Sequence, residues 1–203
     1  NYLCDLEWNT PIGEANACGG DSMMRVKALE QVGGFNPNLI AGEEPELCQR
    51  LRKKSWKIYR LDAEMTLHDA DMTRFSQWWK RTMRSGYAFA SFAALHRDVP
   101  KLFERKQGFN IWLWAFIVPA IALLGIWPTH GWSLGLFAGY GLMTFKIYQN
   151  QRRRSFSVSN SFTYAFFCML GRFPQLQGQI SYYWNTWRGK TSSLIEYKLN
   201  PNS

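Results

Sequence analysis

The chain has 203 residues, with 24 Lys and Arg against 15 Asp and Glu, a formal net charge of +9. Its apolar residues crowd into the second half while its acids stay in the first, and beyond residue 106 only Glu196 remains. This unevenness excludes both a uniformly built soluble domain and a membrane protein throughout, and implies a polar module joined near Lys106 to a short membrane module.

The four cysteines, Cys4, Cys18, Cys48 and Cys168, show no CxxC spacing. A zinc ribbon and a disulfide framework are thereby excluded, and reduced thiols are expected. The basic residues cluster beside apolar stretches and at helix ends with no recognition motif, which fits anionic lipid headgroups and not nucleic acid. The opening "NYLCDLEWNTPIGEANACGG" has no basic segment before an apolar run and no initiator Met. It reads as the inside of a domain, with the remainder of that domain expected upstream of Asn1.

In chain order, "DSMMRVKALEQVGGF" predicts a helix capped by Asp21 or Ser22 and ended by Gly33 in a left-handed conformation. "EEPELCQRLRKKSWK" predicts a second helix. Pro45 sits in its first turn, where a missing N–H costs nothing, and acids first with bases last complement the helix dipole. "KIYRLDAEMTLHDAD" alternates as short strands that deliver His68 to a strand end. From Thr73, aromatic and basic residues at helical spacing predict a helix lying at a lipid headgroup surface.

Residues 111 to 127 and 132 to 145 carry no charge, and "PTHG" turns between them. Flanking residues extend each run to the ~20 needed to span a bilayer. Arg105 and Lys106 before the pair and Arg152 to Arg154 after it predict that both ends are cytoplasmic. The final stretch 161–190 holds Arg172, Pro174 and several Gln, which suits an amphipathic helix in the membrane plane better than a crossing.

The polar half offers few groups for chemistry. Gly19, Gly20 and Asp21 precede one helix; Glu43, Glu44 and Glu46 open the next; His68 neighbours Asp69 and Asp71; Gln77 shares a helix with Arg81 and Arg84. A carboxylate at a helix N-terminus can accept a proton or hold a cation, and a plain capping role accounts for the same acids.

The stretch "CGGDSMMRVKALEQVGGFNPNLIAGEEPELCQRLRKKSWKIYRLDAEMTLH" resembles the family 2 glycosyltransferases of the GT-A fold over about residues 16 to 95. A Gly-Gly turn, an Arg-led helix, Gly-Gly-Phe, an acidic segment and a Leu-Arg helix follow in the family's order. The resemblance implies an inverting enzyme that uses a nucleotide-diphosphate sugar. On it Glu44 takes the place of the general base, usually Asp, with Glu43 as the alternative and Glu46 as helix support or acceptor contact. Gly19, Gly20 and Asp21 would floor the site, and His68 would help bind Mn²⁺ or Mg²⁺. "QWWKR" departs from the Gln-x-x-Arg-Trp of processive synthases at its last two positions. Gln77, Trp78, Trp79 and Arg81 remain candidates for the acceptor or diphosphate side, with membrane anchoring as the competing role of the tryptophans.

The expected fold class is α/β: a partial GT-A (nucleotide-diphospho-sugar transferase) domain, then interfacial helices and a two-span transmembrane helical hairpin. The boundaries are 1–72 for the catalytic half, 73–106 for the interfacial helix, 107–150 for the hairpin and 151–203 for a cytoplasmic tail. The expected function is sugar transfer to a polysaccharide or lipid-linked acceptor at the inner (plasma) membrane. A non-catalytic membrane scaffold is the alternative.

Overall fold

The computed structural model describes residues 3–4, 10–37, 39–63, 71–98 and 103–190. The chain divides into two compact units, one running to Trp78 and one from Trp79 to Thr191.

In the first unit, β1 (Gly13–Ala15) pairs antiparallel with β2 (Ile58–Arg60), Glu14 opposite Tyr59. Between them lie α1 (Val26–Val32) and α2 (Glu43–Lys53). Leu47 and Leu51, one turn apart on α2, bury against Ala28 of α1, with Met24, Val32 and Trp56 around them. Helix α1 starts later than its sequence predicts: Arg25 stands at the N-cap without a side-chain bond, and Asp21 and Ser22 stay in the preceding loop. Its end is as expected. Gly33 adopts φ 75°, and Gly34 N–H closes on Leu29 O at 3.0 Å, the bond that seals a helix on a left-handed residue.

The second unit is helical. Helix α3 (Phe75–Leu95) runs into it, followed by α4 (Phe103–Leu124), a 3₁₀ segment Trp132–Phe137, α5 (Ala138–Arg153), α6 (Val158–Leu170) and α7 (Arg172–Trp187). Within α4 the turn Leu113–Ile117 widens to a π-helix. Pro119 explains it, because its ring crowds the Ala115 carbonyl and it has no N–H to donate there. Helices α3 and α7 cross at two glycines. A Cβ on Gly86 would lie 2.0 Å from Gln175 O, and one on Gly178 would lie 2.0 Å from Met83 O. Ile111, Ala115 and Leu176 pack α4 against α7.

Two expectations are overturned. The described residues are mostly helical, and their two strands are three residues each, so they form no α/β GT-A domain. A pair of three-residue strands gives helices no sheet face to cover. The two-span hairpin fails as well, since α4 is the one helix among the described residues long and apolar enough to cross a membrane. Residues 132–145 are uncharged, yet their helix opens as a 3₁₀ segment, and α5 then carries Lys146, Arg152 and Arg153. The tail contains two helices, α6 and α7, broken at Gly171.

Candidate functional site

The acidic turn at the start of α2 is the best-assembled candidate in the first unit. Gly42, at φ 77°, forms the N-cap with no side-chain bond. The turn that follows presents Glu43, Glu44 and Glu46, and Glu46 N–H reaches Gly42 O at 3.1 Å. A left-handed cap favours glycine and brings the chain sharply onto the helix.

The three acids have different surroundings. Glu46 is 3 % exposed and grips Arg50 one turn on: Nε donates to Oε1 at 2.9 Å and Nη2 to Oε2 at 2.7 Å. Arg50 Nη1 also donates to Val32 O, so the pair ties α2 to the end of α1. Helix support is thus the role its geometry carries. Glu43 and Glu44 are only half-buried.

The loop 16–22 lies along the same helix. Cys18 Sγ sits 3.4 Å from Cys48 Sγ, and its backbone N–H is also 3.4 Å from that sulfur. A Cβ on Gly20 would lie 3.8 Å from Glu44 Oε1, an ordinary contact distance. The match is geometric: Glu44 and Cys48 are one helical turn apart, and an extended loop sets Gly20 and Cys18 a similar distance apart. Gly19 and Asp21 are exposed beside this seam.

Cys18 is the residue that sequence reasoning missed. Its thiol is lowered from near 9 to about 6, chiefly by the hydrogen bond with Cys48, with burial opposing and Ser22 assisting. Glu44 opposes the shift, as a negative charge nearby should. The Cys48 thiol is pushed up, by the same bond and by burial. Cys18 and Gly20 two apart, facing Glu44 and Cys48 four apart, was the signal in the sequence.

The remaining candidates lie elsewhere. Gln77 is buried and caps α3, its Oε1 accepting from Thr73 N–H at 2.9 Å and Arg74 N–H at 2.8 Å. Trp78 packs on Phe75, ring centroids 5.2 Å apart. Trp79 and the half-buried Arg81 belong to the second unit, where Trp79 Nε1 donates to Gln177 Oε1 at 3.0 Å. His68 and Asp69 lie outside the described residues. Among the described residues no three His, Cys, Asp or Glu side chains converge on one point, and His68, the expected metal ligand, is not one of those residues.

A glycine loop laid over a carboxylate-bearing helix start is a shape that can hold a hydroxyl-bearing substrate beside a base. Residues 5–75 match the family model of the N-terminal domain of galactosyltransferase. The match ends at the first residue of α3 and contains the whole acidic turn, so it supports a glycosyltransferase domain in the first unit, without singling out family 2. No curated protein and no solved structure matches the chain.

Proposed function

We propose that the chain forms part of a membrane-bound glycosyltransferase that moves a sugar from a nucleotide-diphosphate donor to a polysaccharide or lipid-linked acceptor, inverting the anomeric carbon. The observation that carries this reading is the seating of Gly20 against Glu44 inside a segment that matches a galactosyltransferase domain. Glu46 is buried on Arg50, whereas Glu43 and Glu44 are partly exposed at the helix start. Glu44 is the favoured base because the glycine loop lies over it.

In this mechanism the acceptor hydroxyl gives its proton to the Glu44 carboxylate while its oxygen attacks the anomeric carbon. The bond to the nucleoside diphosphate breaks on the opposite face and the diphosphate leaves with the electron pair. A galactosyl donor is the first choice, on the name of the matching family.

Attachment to a membrane is supported by the polarity of the second unit. Its buried positions include Gln151, Ser161 and Gln179, whereas Phe116, Leu124, Leu142 and Phe162 are exposed. Small residues at the crossing of α3 and α7 and polar residues inside are how helices pack when their surroundings are lipid.

The test is sugar transfer from a nucleotide-diphosphate galactose, measured in membranes that hold the protein. Glu44→Gln is expected to lower kcat by about a hundredfold or more, and Glu43→Gln by less than about tenfold. Unchanged transfer by Glu44→Gln would remove the base assignment. Absence of transfer in every form, with the fold intact, would favour a non-catalytic scaffold.

A further inference from the structure

One concavity of the second unit is lined by several cations. A groove of about 460 Å³ opens between α5, α6 and the start of α7. Lys146 and Arg153 are two helical turns apart on α5 and therefore share a face, with Arg154 following at the C-cap. Tyr164 lines the α6 side, and Arg172, the first residue of α7, completes the ring of cations. Among the described residues no Asp or Glu lines the groove, and the sequence has none between residues 105 and 195.

Arg172 is the informative member. It is more buried than the exposed Lys146, Arg153 and Arg154, and burial pulls its guanidinium below the usual arginine range. Its Nη1 donates to Gln107 Oε1 at 3.2 Å, a neutral amide. Its Nε is buried with no hydrogen-bond partner among the described residues. A guanidinium withdrawn from water with no anion beside it among the described residues is costly, and an oxyanion delivered into the groove would remove that cost.

We propose that this groove binds a phosphate group, carried either by a membrane lipid or by a soluble phosphate, through Lys146, Arg153, Arg154 and Arg172. Phosphate suits it better than a carboxylate. Its tetrahedral oxygens can meet cations arriving from α5 and from α7 at once, whereas a carboxylate offers two oxygens in one plane. The inference does not rest on glycosyl transfer, and its test reads binding alone.

The full chain in an uncharged detergent is titrated with inorganic phosphate, and in a second arm it is mixed with vesicles of phosphatidylcholine alone or with added phosphatidic acid. Saturable binding of inorganic phosphate identifies a soluble ligand; preference for the phosphatidic acid vesicles, with no binding of inorganic phosphate, identifies a lipid. Arg172→Gln and Arg153→Gln are each expected to weaken the binding about tenfold, or about 1.4 kcal/mol. Arg188→Gln, which removes the same charge outside the groove, is expected to change it less than about twofold. Binding of neither probe overturns the proposal, as does an equal loss in Arg188→Gln, which would reduce the effect to net charge. Lys146 and Arg153 are exposed, so Lys146→Gln and Arg153→Gln decide the matter if Arg172→Gln does not fold.

Discussion

The sulfurs of Cys18 and Cys48 face each other at 3.4 Å, and this contact, with Gly20 above Glu44, lays the loop 16–22 along α2. Their contact lowers the Cys18 thiol and raises that of Cys48, which favours Cys48 as the donor and Cys18 as the thiolate.

Alkylation of Cys18 should follow that charge. Its rate, followed by mass spectrometry of the Cys18 peptide, is expected to rise with pH through a midpoint near 6, where an ordinary thiol would show one near 9. Cys48→Ala removes the donor and is expected to move the midpoint upward. Glu44→Gln removes an opposing negative charge and is expected to move it downward, which tests the position of the candidate base without any assay of activity. The folded value lies below the unfolded one. The stabilising contribution of the thiolate is therefore fully present above about pH 9 and lost as pH falls through about 6.

The pair Glu46 and Arg50 should matter to stability and not to chemistry. Glu46 is almost fully buried, while the Arg50 side chain is 23 % exposed. Arg50→Ala removes the ion pair from a buried carboxylate and the donor to the Val32 carbonyl, and is expected to cost about 3 kcal/mol in urea unfolding. Glu46→Gln leaves an arginine that water still reaches, and is expected to cost less, about 1 to 2 kcal/mol. If both variants unfold like the wild type, the pair does not hold α2 to α1.

Local features of this unit were legible in the sequence because they depend on near neighbours. Acids first and bases last, with Pro45 in the opening turn, describe α2 as it stands, and Gly33 ends α1 where a left-handed residue was needed. Nonlocal features were not. Gly13 finds Arg60 across the whole of α1 and α2, and no alternation in either short segment names its partner. The charge-free run 132–145 reported a low cost of transfer into lipid, but not that its helix would open as a 3₁₀ segment and end in charge. At the site, the sequence brought Glu43, Glu44 and Gly20 forward as candidates. It passed over Cys18 because a free thiol acquires its character from the residue packed against it.

The crossing of α3 and α7 predicts a sharp contrast among glycines. Gly86→Ala and Gly178→Ala drive a methyl group into the backbone of the facing helix, so each is expected to destabilise the second unit by about 3 kcal/mol or more, read by thermal unfolding in detergent. Gly141, inside α5, has open space where its Cβ would stand. Gly141→Ala is expected to be neutral or to stabilise by up to about 1 kcal/mol, because alanine loses less backbone freedom on folding. Equal behaviour of the three variants would mean that the helices do not meet at those glycines.

The exposed tryptophans beyond α4 allow the membrane reading to be tested apart from catalysis. Trp127 and Trp132 are 90 % and 87 % exposed. They flank a turn closed by Thr129, whose hydroxyl donates to Gly125 O and accepts from Ser133 N–H. Leu124, 81 % exposed, adds to the same apolar end of the helix. Indoles held clear of the protein on a hydrogen-bonded turn are suited to the headgroup boundary, where the ring is buried and the N–H stays wet. With vesicles carrying brominated acyl chains, tryptophan emission is expected to be quenched, and the chain is expected to float with the lipid. Trp127→Ser and Trp132→Ser should each reduce partitioning roughly tenfold, the scale of one large side chain leaving an apolar phase. The fold should be unaffected, since neither ring is packed. Unquenched emission, or flotation that ignores both substitutions, would place this end of α4 away from lipid and leave its apolar surface to be covered by protein.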